Sequence, residues 1–431
     1  EAFFSKDGGI TRNATLEDPF PGGIPPAQGQ KYGKLALWGL DNGNNLGTQT
    51  AKNAKIYQWN LGIQRAFPDQ VVIAINYSAN RSTFLPWSGT DNRNFIPSAL
   101  RSTETSDELS SLVSNPFQGL FSGPGAIFNV PSSRYSDPQL PLLNLQRPYP
   151  QFDGSFQGYK IIGASSWYNA LQVVFQKRGG KYLNFEGNYT WSKNMDDSSA
   201  GNNNFIGQLS NGFPQELDHL RREWSVSAND ATNRLVAAVI FQLPIGRGYL
   251  VGANMNRALD AVIGGWQLTA LATYQTGTPL NIFMANGRLA DGNQRPNVVC
   301  PSGGKFTTGI SMTAAAISTN AGTNLPWLNV ACFSDPGDQQ AGNAPRYFSQ
   351  IRSDSIHQVD ISLEKIYNLG GRKGQIEAHA DCFNCTNTPR FEYPDTGWGE
   401  GGTFGVISST AGSNGGGAPP RNMQLGVRYQ F

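Results

Sequence analysis

The end of the chain, MQLGVRYQF at residues 423–431, decides the fold class because its residues alternate strictly in character. Apolar or aromatic side chains occupy every second position, and polar or small ones occupy the positions between: Met423, Leu425, Val427, Tyr429 and Phe431 against Gln424, Gly426, Arg428 and Gln430. Side chains of a β-strand point alternately to its two faces, so the pattern predicts a strand with one apolar and one polar face. A half-buried strand of a soluble sheet alternates in the same way.

The same alternation recurs along the chain at the length that a membrane requires. Eight more segments show it, at residues 57–64, 71–77, 171–176, 183–191, 235–243, 266–275, 358–364 and 375–382. Each segment is close to the ~9–11 residues of a tilted membrane strand. The repetition therefore predicts an all-β chain that forms an antiparallel transmembrane β-barrel.

The connections between these segments alternate in length. Short turns are expected at 66–69, 179–180 and 368–371, while the connection 244–263 lies on the same side but is longer. The other side carries long loops, at 80–165, 194–230, 277–355 and 384–420. Short periplasmic turns and long extracellular loops are typical of outer-membrane barrels, whereas sandwiches and propellers do not lengthen every second connection. The chain is therefore expected in the bacterial outer membrane, surrounded by lipid and lipopolysaccharide.

The composition fits this class and excludes others. Charged residues make up only 15% of the chain and aromatic residues 11%, against roughly 25% charged residues in typical soluble domains. The net charge is +2 and the basic residues are scattered, so no nucleic-acid partner is expected. The longest nearly apolar stretch, at 235–245, is about half of the ~20 residues that a spanning helix needs.

The strand count is nine, whereas single-chain barrels of bacteria have an even number of strands. Residues 1–55 are interpreted as the extracellular loop of a preceding hairpin, and residues 56–431 as barrel strands with their loops. Two explanations stay open. The chain could be the C-terminal part of a larger barrel, or a tenth strand could lie around 157–163.

Three groups of residues are candidates for particular roles. Aromatic side chains near strand ends are expected at the two headgroup levels of the membrane: Trp59, Trp191, Trp266, Tyr274, Tyr429 and Phe431. Acidic residues and one histidine at the polar positions of two alternating strands are candidates for facing the barrel lumen: Glu377, His379, Asp381, Asp360 and Glu364. Cys300 and Cys332 fall in one long loop, where a disulfide would be worth about 3–4 kcal/mol in chain entropy. The state of Cys382 and Cys385 stays open.

Neither catalysis nor a cofactor finds support in the sequence. His219, His357 and His379 are far apart and lack the spacing of metal ligands. The pair Asp196-Asp197 lies in a Ser- and Asn-rich segment, where a calcium site competes with the preferred interpretation of a solvated loop. The expectation is a protein that is not an enzyme.

Ten short motifs carry a family resemblance that runs in order along most of the chain. They are DPFPGG at 18–23, YQWNLGIQR at 57–65, LQRPYPQF at 145–152, YNALQV at 168–173, YTWSKNMDD at 189–197, LPIGRG at 243–248, GGWQL at 264–268, YQTGTP at 274–279, FNCTN at 383–387 and RNMQLGVRYQF at 421–431. With these motifs the chain resembles the Oar-like TonB-dependent receptors.

The resemblance implies a 22-stranded barrel, of which this chain would supply about nine or ten strands. It further implies an N-terminal plug and a TonB-binding segment, which are both expected to lie outside this sequence, and uptake driven by the TonB complex. The terminal Phe431 is similar to the aromatic end by which the barrel-assembly machinery recognises its substrates. Family members handle bulky cargo such as oligosaccharides, peptides or chelates.

Two functions of different classes follow. In the first, the chain is part of a transporter whose loops capture a bulky ligand. In the second, it is an outer-membrane barrel that imports nothing and acts as a structural, adhesion or interaction protein at the surface. A soluble secreted β-sandwich lectin is a third, more distant alternative, which predicts purification without detergent.

Overall fold

The computed structural model describes residues 15, 17–18, 52–86, 94–120, 133–152, 162–198, 214–302, 304–369, 374–399, 401–410 and 420–431. Nine long strands follow one another in a single antiparallel sheet, in chain order. They are β1 (Lys55–Phe67), β2 (Val71–Pro86), β3 (Ile162–Lys177), β4 (Leu183–Asp196), β5 (Asn233–Gln242), β6 (Trp266–Gln275), β7 (Ile356–Asn368), β8 (Gln375–Phe383) and β9 (Asn422–Gln430). A two-residue strand, Ser225–Val226, adds to β4.

The register of this sheet brings the apolar positions of all nine strands onto one face. One row of directly opposite residues runs Ile63, Ile75, Val173, Tyr189, Leu235 and Tyr274. Another ends with Leu363, Ala380 and Leu425. Because opposite residues of an antiparallel pair share a face, the sheet has one apolar and one mostly polar side. The prediction of an antiparallel all-β architecture is confirmed, and within the described residues β1 and β9 are the edges of the sheet.

The turns at one end of the sheet are short, with one exception. A 3-10 turn, Pro68–Gln70, joins β1 to β2, and Gly179 joins β3 to β4 with a φ of 72°. Of the turn between β7 and β8, residues 370–373 lie outside the described part. Its last residue, Gly374, packs so closely on β9 that a Cβ atom there would lie 2.0 Å from the carbonyl oxygen of Gln430. The exception joins β5 to β6 and contains the helix Arg257–Ile263.

The long connections contain the remaining elements. Five helices, Ser98–Arg101, Ser106–Ser110, Ser133–Ser136, Leu142–Gln146 and Met312–Asn320, accompany the 3-10 turns Leu220–Glu223 and Val330–Cys332. Four strand pairs are Leu112–Ser114 with Gln139–Pro141, Pro279–Leu280 with Phe348–Arg352, Phe283–Met284 with Gly397–Trp398, and Asn297–Val298 with Phe333–Ser334. None of the helices in the described part of the chain is long and apolar enough to cross a membrane.

These connections pack together into one body, which we call the loop body (residues 94–120, 133–152, 214–230, 277–302, 304–354, 388–399 and 401–410). Its apolar core contains Leu280, Ile282, Leu328, Phe348 and Ile351. At its centre the ring of Phe333 contacts those of Phe306, Phe348 and Phe404, with centroids 5.6 to 5.9 Å apart. Burial of this apolar surface away from water stabilises the loop body as it does a soluble domain.

Several boundaries differ from the sequence predictions. The strands β2 and β3 extend into the predicted loop 80–165, and they end at Pro86 and begin at Ile162. The sequence suggests a tenth strand at 157–163. Residues 157–161 lie outside the described part, and residues 162–163 belong to β3. The predicted loop 1–55 also lies almost wholly outside it.

Candidate functional site

The five residues predicted to face the lumen lie on one side of β7 and β8, and β9 continues that side. Glu364 is directly opposite His379, and His379 is opposite Gly426. The polar row on one side of it joins Ser362, Asp381 and Gln424, and the row on its other side joins Glu377 to Arg428. The structure therefore places the predicted residues on the polar face, as their parity requires.

His379 and Asp381 form the centre of this polar surface. The Nδ1 atom of His379 lies 2.7 Å from Oδ2 of Asp381, and the hydroxyl of Ser362 donates to Oδ1 of the same carboxylate at 2.6 Å. The three residue types are those of a hydrolase triad, but their order differs. Ser362 bonds to the carboxylate and not to the imidazole, so His379 is not placed to take a proton from the serine.

The imidazole of His379 occupies the space above Gly426. A Cβ atom at residue 426 would lie 2.1 Å from Nε2 of His379. The terminal strand therefore needs a glycine at this position, because any side chain there would displace the imidazole ring. Sequence reasoning placed Gly426 on the polar face without recognising this requirement.

Two of the other three predicted residues, Asp360 and Glu364, accept hydrogen bonds of their own. The carboxylate of Asp360 accepts hydrogen bonds from Nε2 of Gln358, at 3.0 and 3.2 Å, and from the backbone N–H of Asn384 at 2.8 Å. Glu364 accepts a long one, 3.5 Å, from Gln267. This side of the sheet thus presents both hydrogen-bond donors and hydrogen-bond acceptors, which suits a polar ligand.

The loop body contains a second set of charged residues that the sequence did not reveal. Arg295 and Glu223 form a bidentate ion pair, at 2.6 and 3.0 Å, and their side chains are only 4% and 2% exposed. The side chain of Gln215 joins them: it accepts from the backbone N–H of Arg295 at 2.8 Å and of Gly342 at 3.0 Å. This network fixes the loop between β4 and β5 to the loop between β6 and β7.

Further ion pairs and hydrogen bonds fix the loop between β2 and β3 to the same structure. Arg147 pairs with Asp291 at 2.7 Å. The carboxylate of Asp218 accepts from the backbone and hydroxyl of Ser98 at 2.9 and 2.8 Å, and Asp338 accepts from Ser106 in the same way. Burial raises the pKa of Asp218 and of Asp338, but the hydrogen bonds from the serines outweigh it, and the pKa of each carboxyl is lowered.

The loop body is attached to the sheet through Asp196 and Asp230. The guanidinium of Arg346 pairs with Asp196 at the end of β4, and the carboxylate of Asp230 accepts from the backbone N–H of Asn194 in β4 at 2.6 Å. Within the loop body, Arg352 forms an ion pair with Asp230 at 2.7 Å. The next residue, Asp197, is buried and accepts from the backbone N–H of Ser165 at 2.6 Å. The preferred sequence interpretation of Asp196-Asp197 as a solvated loop is therefore wrong, because protein groups occupy both carboxylates.

Both cysteine pairs are placed as disulfides, Cys300 with Cys332 in the loop body and Cys382 with Cys385 at the end of β8. The Cys300–Cys332 bridge lies at the apolar core around Phe333. Among the described residues no group of three His, Cys, Asp or Glu side chains is arranged to hold a metal ion.

The aromatic residues predicted for the headgroup levels lie at the two ends of the apolar face. Trp59, Trp191 and Tyr274 lie toward the long loops, where Tyr274 stacks near His357 with centroids 4.8 Å apart. Trp266, Tyr429 and Phe431 lie toward the short turns. A surface groove of about 480 Å³ opens beside Tyr274 and His357, and Thr386 and Thr388 also line it.

A family model described as "Outer membrane beta barrel domain" matches residues 2–424. The chain belongs to this family. Its location is therefore the outer membrane, as predicted, and the apolar face of the barrel sheet is the face toward lipid. The short turns face the periplasm and the loop body faces the cell exterior, by the usual orientation of such barrels.

Solved structures to which parts of the chain are similar include proteins described as outer-membrane transporters or receptors. The outer membrane transporter YddB from Escherichia coli shows 9% identity and a TM-score of 0.41, over 91% of this chain and 35% of that chain. FpvA from P. aeruginosa, in complex with pyoverdine and iron, shows 10% identity and a TM-score of 0.37, over 91% of this chain and 29% of that one. The chain thus spans about a third of their length. No relative was found among curated proteins.

Proposed function

We propose that this barrel is a TonB-dependent transporter or receptor of the Oar-like type, which takes up a bulky polar ligand such as an oligosaccharide, a peptide or a chelate. The observation that carries the proposal is the combination of two surfaces. A polar sheet face with the residues Asp360, Glu364, Glu377, His379 and Asp381 extends along the strands. A loop body held by buried ion pairs stands at the extracellular ends of the same sheet.

The loop body favours ligand capture because its geometry is fixed before a ligand arrives. A binding surface whose loops are already ordered loses less conformational entropy on binding than one with mobile loops. The buried pair Arg295–Glu223 and the disulfide Cys300–Cys332 both contribute to that order. The polar sheet face offers hydrogen bonds along the path that a ligand would follow afterwards.

The remaining sequence assignments belong to the same proposal. Trp59, Trp191 and Tyr274 would form the outer aromatic belt, and Trp266, Tyr429 and Phe431 the periplasmic one. The C-terminal strand would be the part that the barrel-assembly machinery binds. The protein would act by transport and not by catalysis.

Uptake by cells tests the proposal. The gene is deleted in its native host, and cells with and without it, each with and without tonB, are given fluorescent oligosaccharides, fluorescent peptides and ferric chelates. Accumulation of one probe that requires both genes would support the proposal. Surface binding that needs the barrel but not tonB, with no accumulation, would instead establish the alternative of a surface interaction or adhesion protein.

A further inference from the structure

The connection between β5 and β6 differs from the other periplasmic turns because it contains an ordered helix, Arg257–Ile263, which we call the turn helix. The side chain of Asn256 caps its start by accepting from the backbone N–H of Leu259 at 2.7 Å. The helix ends at Gly264, whose N–H donates to the carbonyl oxygen of Asp260 at 2.9 Å. The segment is therefore a defined structure and not merely a lengthened turn.

Two side chains at lipid-facing positions of the sheet form hydrogen bonds with the C-terminal end of the turn helix. The indole Nε1 of Trp266 donates to the carbonyl oxygen of Val262 at 3.0 Å. The ammonium group of Lys365 donates to the carbonyl oxygens of Gly264 at 2.6 Å and of Asp260 at 3.3 Å. Trp266 and Lys365 are directly opposite each other in the register, in the row that continues to Ala378 and Val427. The helix thus ends at the outer, lipid side of the sheet and not beneath the lumen.

The turn helix and the residues before it expose apolar side chains at this position. Leu259 is 46% exposed, Val262 65% and Ile263 41%, and their spacing places them on one side of the helix. Leu250 and Val251, earlier in the same connection, are 74% and 59% exposed. This apolar patch is continuous with the apolar face of the sheet, which is already the face toward lipid.

The groups around the patch match the headgroup level of a membrane. The ammonium of Lys365 lies 5.4 Å from the ring centroid of Trp266, and that of Lys181 lies 5.2 and 5.7 Å from the rings of Tyr182 and Tyr249. Tryptophan, tyrosine and lysine side chains with an apolar body and a polar tip accumulate at this level. Arg257 is the first residue of the helix, and helical spacing puts it on the side opposite Leu259, Val262 and Ile263.

We propose that the turn helix, together with Leu250 and Val251, lies in the interface of the periplasmic leaflet, with Leu259, Val262 and Ile263 in contact with lipid. The helix is amphipathic and too short to span, and an apolar side of this kind binds at the boundary of headgroups and acyl chains. Lys365 and Trp266 then fix the depth at which the barrel sits, because they connect the interfacial helix to the sheet. This inference rests on the family assignment and is independent of what the barrel transports.

Spin labels test the proposal on protein purified from outer membranes and reconstituted into lipid nanodiscs. A nitroxide is attached at Val262→Cys, with Arg178→Cys in the short turn after β3 as the water-exposed control and Leu235→Cys on the lipid-facing side as the lipid control. The collision rates with oxygen, which concentrates in lipid, and with a water-soluble nickel chelate are compared.

The expected result is a ratio of oxygen to nickel collisions at residue 262 close to that at residue 235 and well above that at residue 178. A ratio equal to that at residue 178 would overturn the proposal, because the helix would then lie in water. Low rates with both reagents would also overturn it, since another protein segment or a second copy would then cover the patch. Leu250→Cys gives the same comparison at a position with few contacts, should the Val262 variant fail to fold.

Discussion

The sheet and the loop body use the same kinds of residues in opposite ways. Along the sheet, leucine, isoleucine and valine side chains point away from the protein, as at Leu61, Ile63 and Leu425, all of which are exposed. In the loop body, Ile282, Leu328 and Ile351 are completely buried. Charged residues differ as well, because the loop body buries ion pairs such as Arg295–Glu223, whereas the sheet keeps its acidic residues on the polar face.

The difference arises from the solvent that each region meets. Lipid is as apolar as leucine, so an outward side chain of the sheet gains little from packing, and the hydrogen bonds between strands hold the sheet together. The loop body stands in water and must bury its own apolar surface to stay ordered. A substitution should therefore have very different consequences in the two regions.

The largest effect is expected from Glu223→Ala in the loop body. The substitution leaves the guanidinium of Arg295 buried without its partner, which should cost about 3–5 kcal/mol of local stability. Limited proteolysis of intact cells should then cut within residues 214–230 and 277–352, while the folded barrel still resists denaturation by detergent.

The matched control is Asp335→Ala, which removes the partner of Arg288 from a pair whose side chains are 46% and 45% exposed. An exposed pair contributes about 0–1 kcal/mol, so this variant should be cut no faster than the wild type. Equal effects of the two variants would contradict the distinction between buried and exposed pairs in the loop body.

The sheet should instead respond to charge on its outer face. Val173→Arg places a charge among lipid chains in β3, between Trp167 and Lys177, and should destabilise the barrel by about 2–4 kcal/mol, as at the membrane midplane. Gln172→Arg changes the adjacent residue on the polar face and should have little effect. Equilibrium unfolding in urea from lipid vesicles gives both values. A larger loss for Gln172→Arg would reverse the assignment of the faces.

A smaller effect is expected where the sheet is tightly packed on its polar face. Gly426→Ala forces the ring of His379 to move and should destabilise by about 1–3 kcal/mol, as overpacking usually does. In a His379→Ala background the same substitution should cost much less, because the colliding ring is gone. Gly401→Ala, at a glycine with open space around it, is the neutral control. Equal costs of Gly426→Ala in the two backgrounds would exclude the contact.

The smallest effect is expected on the stability of residues 98–110 when the pH is lowered. The pKa of Asp218 and of Asp338 is lowered in the folded state, so the stabilisation from each carboxylate is complete above its unfolded value near pH 4 and is lost as the pH falls through the folded value. Hydrogen exchange of residues 98–110 should therefore accelerate, beyond its intrinsic pH dependence, as the pH falls below about 4. Ser98→Ala with Ser106→Ala should weaken this dependence. Protection that increases in acid would contradict the assignment.

The sheet was predictable from the sequence because period-two alternation survives in most of the long strands, although β5 also has apolar residues on its second face. The terminal strand from Met423 onward, the pairing of short turns with long loops and the polar parity of Glu377, His379 and Asp381 all follow from that period. Parity assigns a face but not a partner. The sequence therefore does not reveal the contact of His379 with Asp381 or the space that Gly426 leaves for the imidazole ring.

The loop body was not predictable in the same way. Its core residues, such as Leu280, Phe333 and Phe404, come from distant segments and follow no period, and its ion pairs join different loops. The turn helix did have a local signal, because Asn256 is a favourable cap and Gly264 a favourable end. Within a chain of alternating strands, that signal was interpreted as a lengthened turn.

The most direct test of the account is a spin-label scan of residues 170–176 in β3, in nanodiscs. Oxygen collisions should rise at Leu171, Val173 and Phe175 and fall at Gln172, Val174 and Gln176, with nickel collisions in the opposite phase, because the first three face lipid and the others a water-filled interior. A profile without a period of two, or with the phase reversed, would contradict the claim that the apolar side of this sheet is the wall toward the membrane.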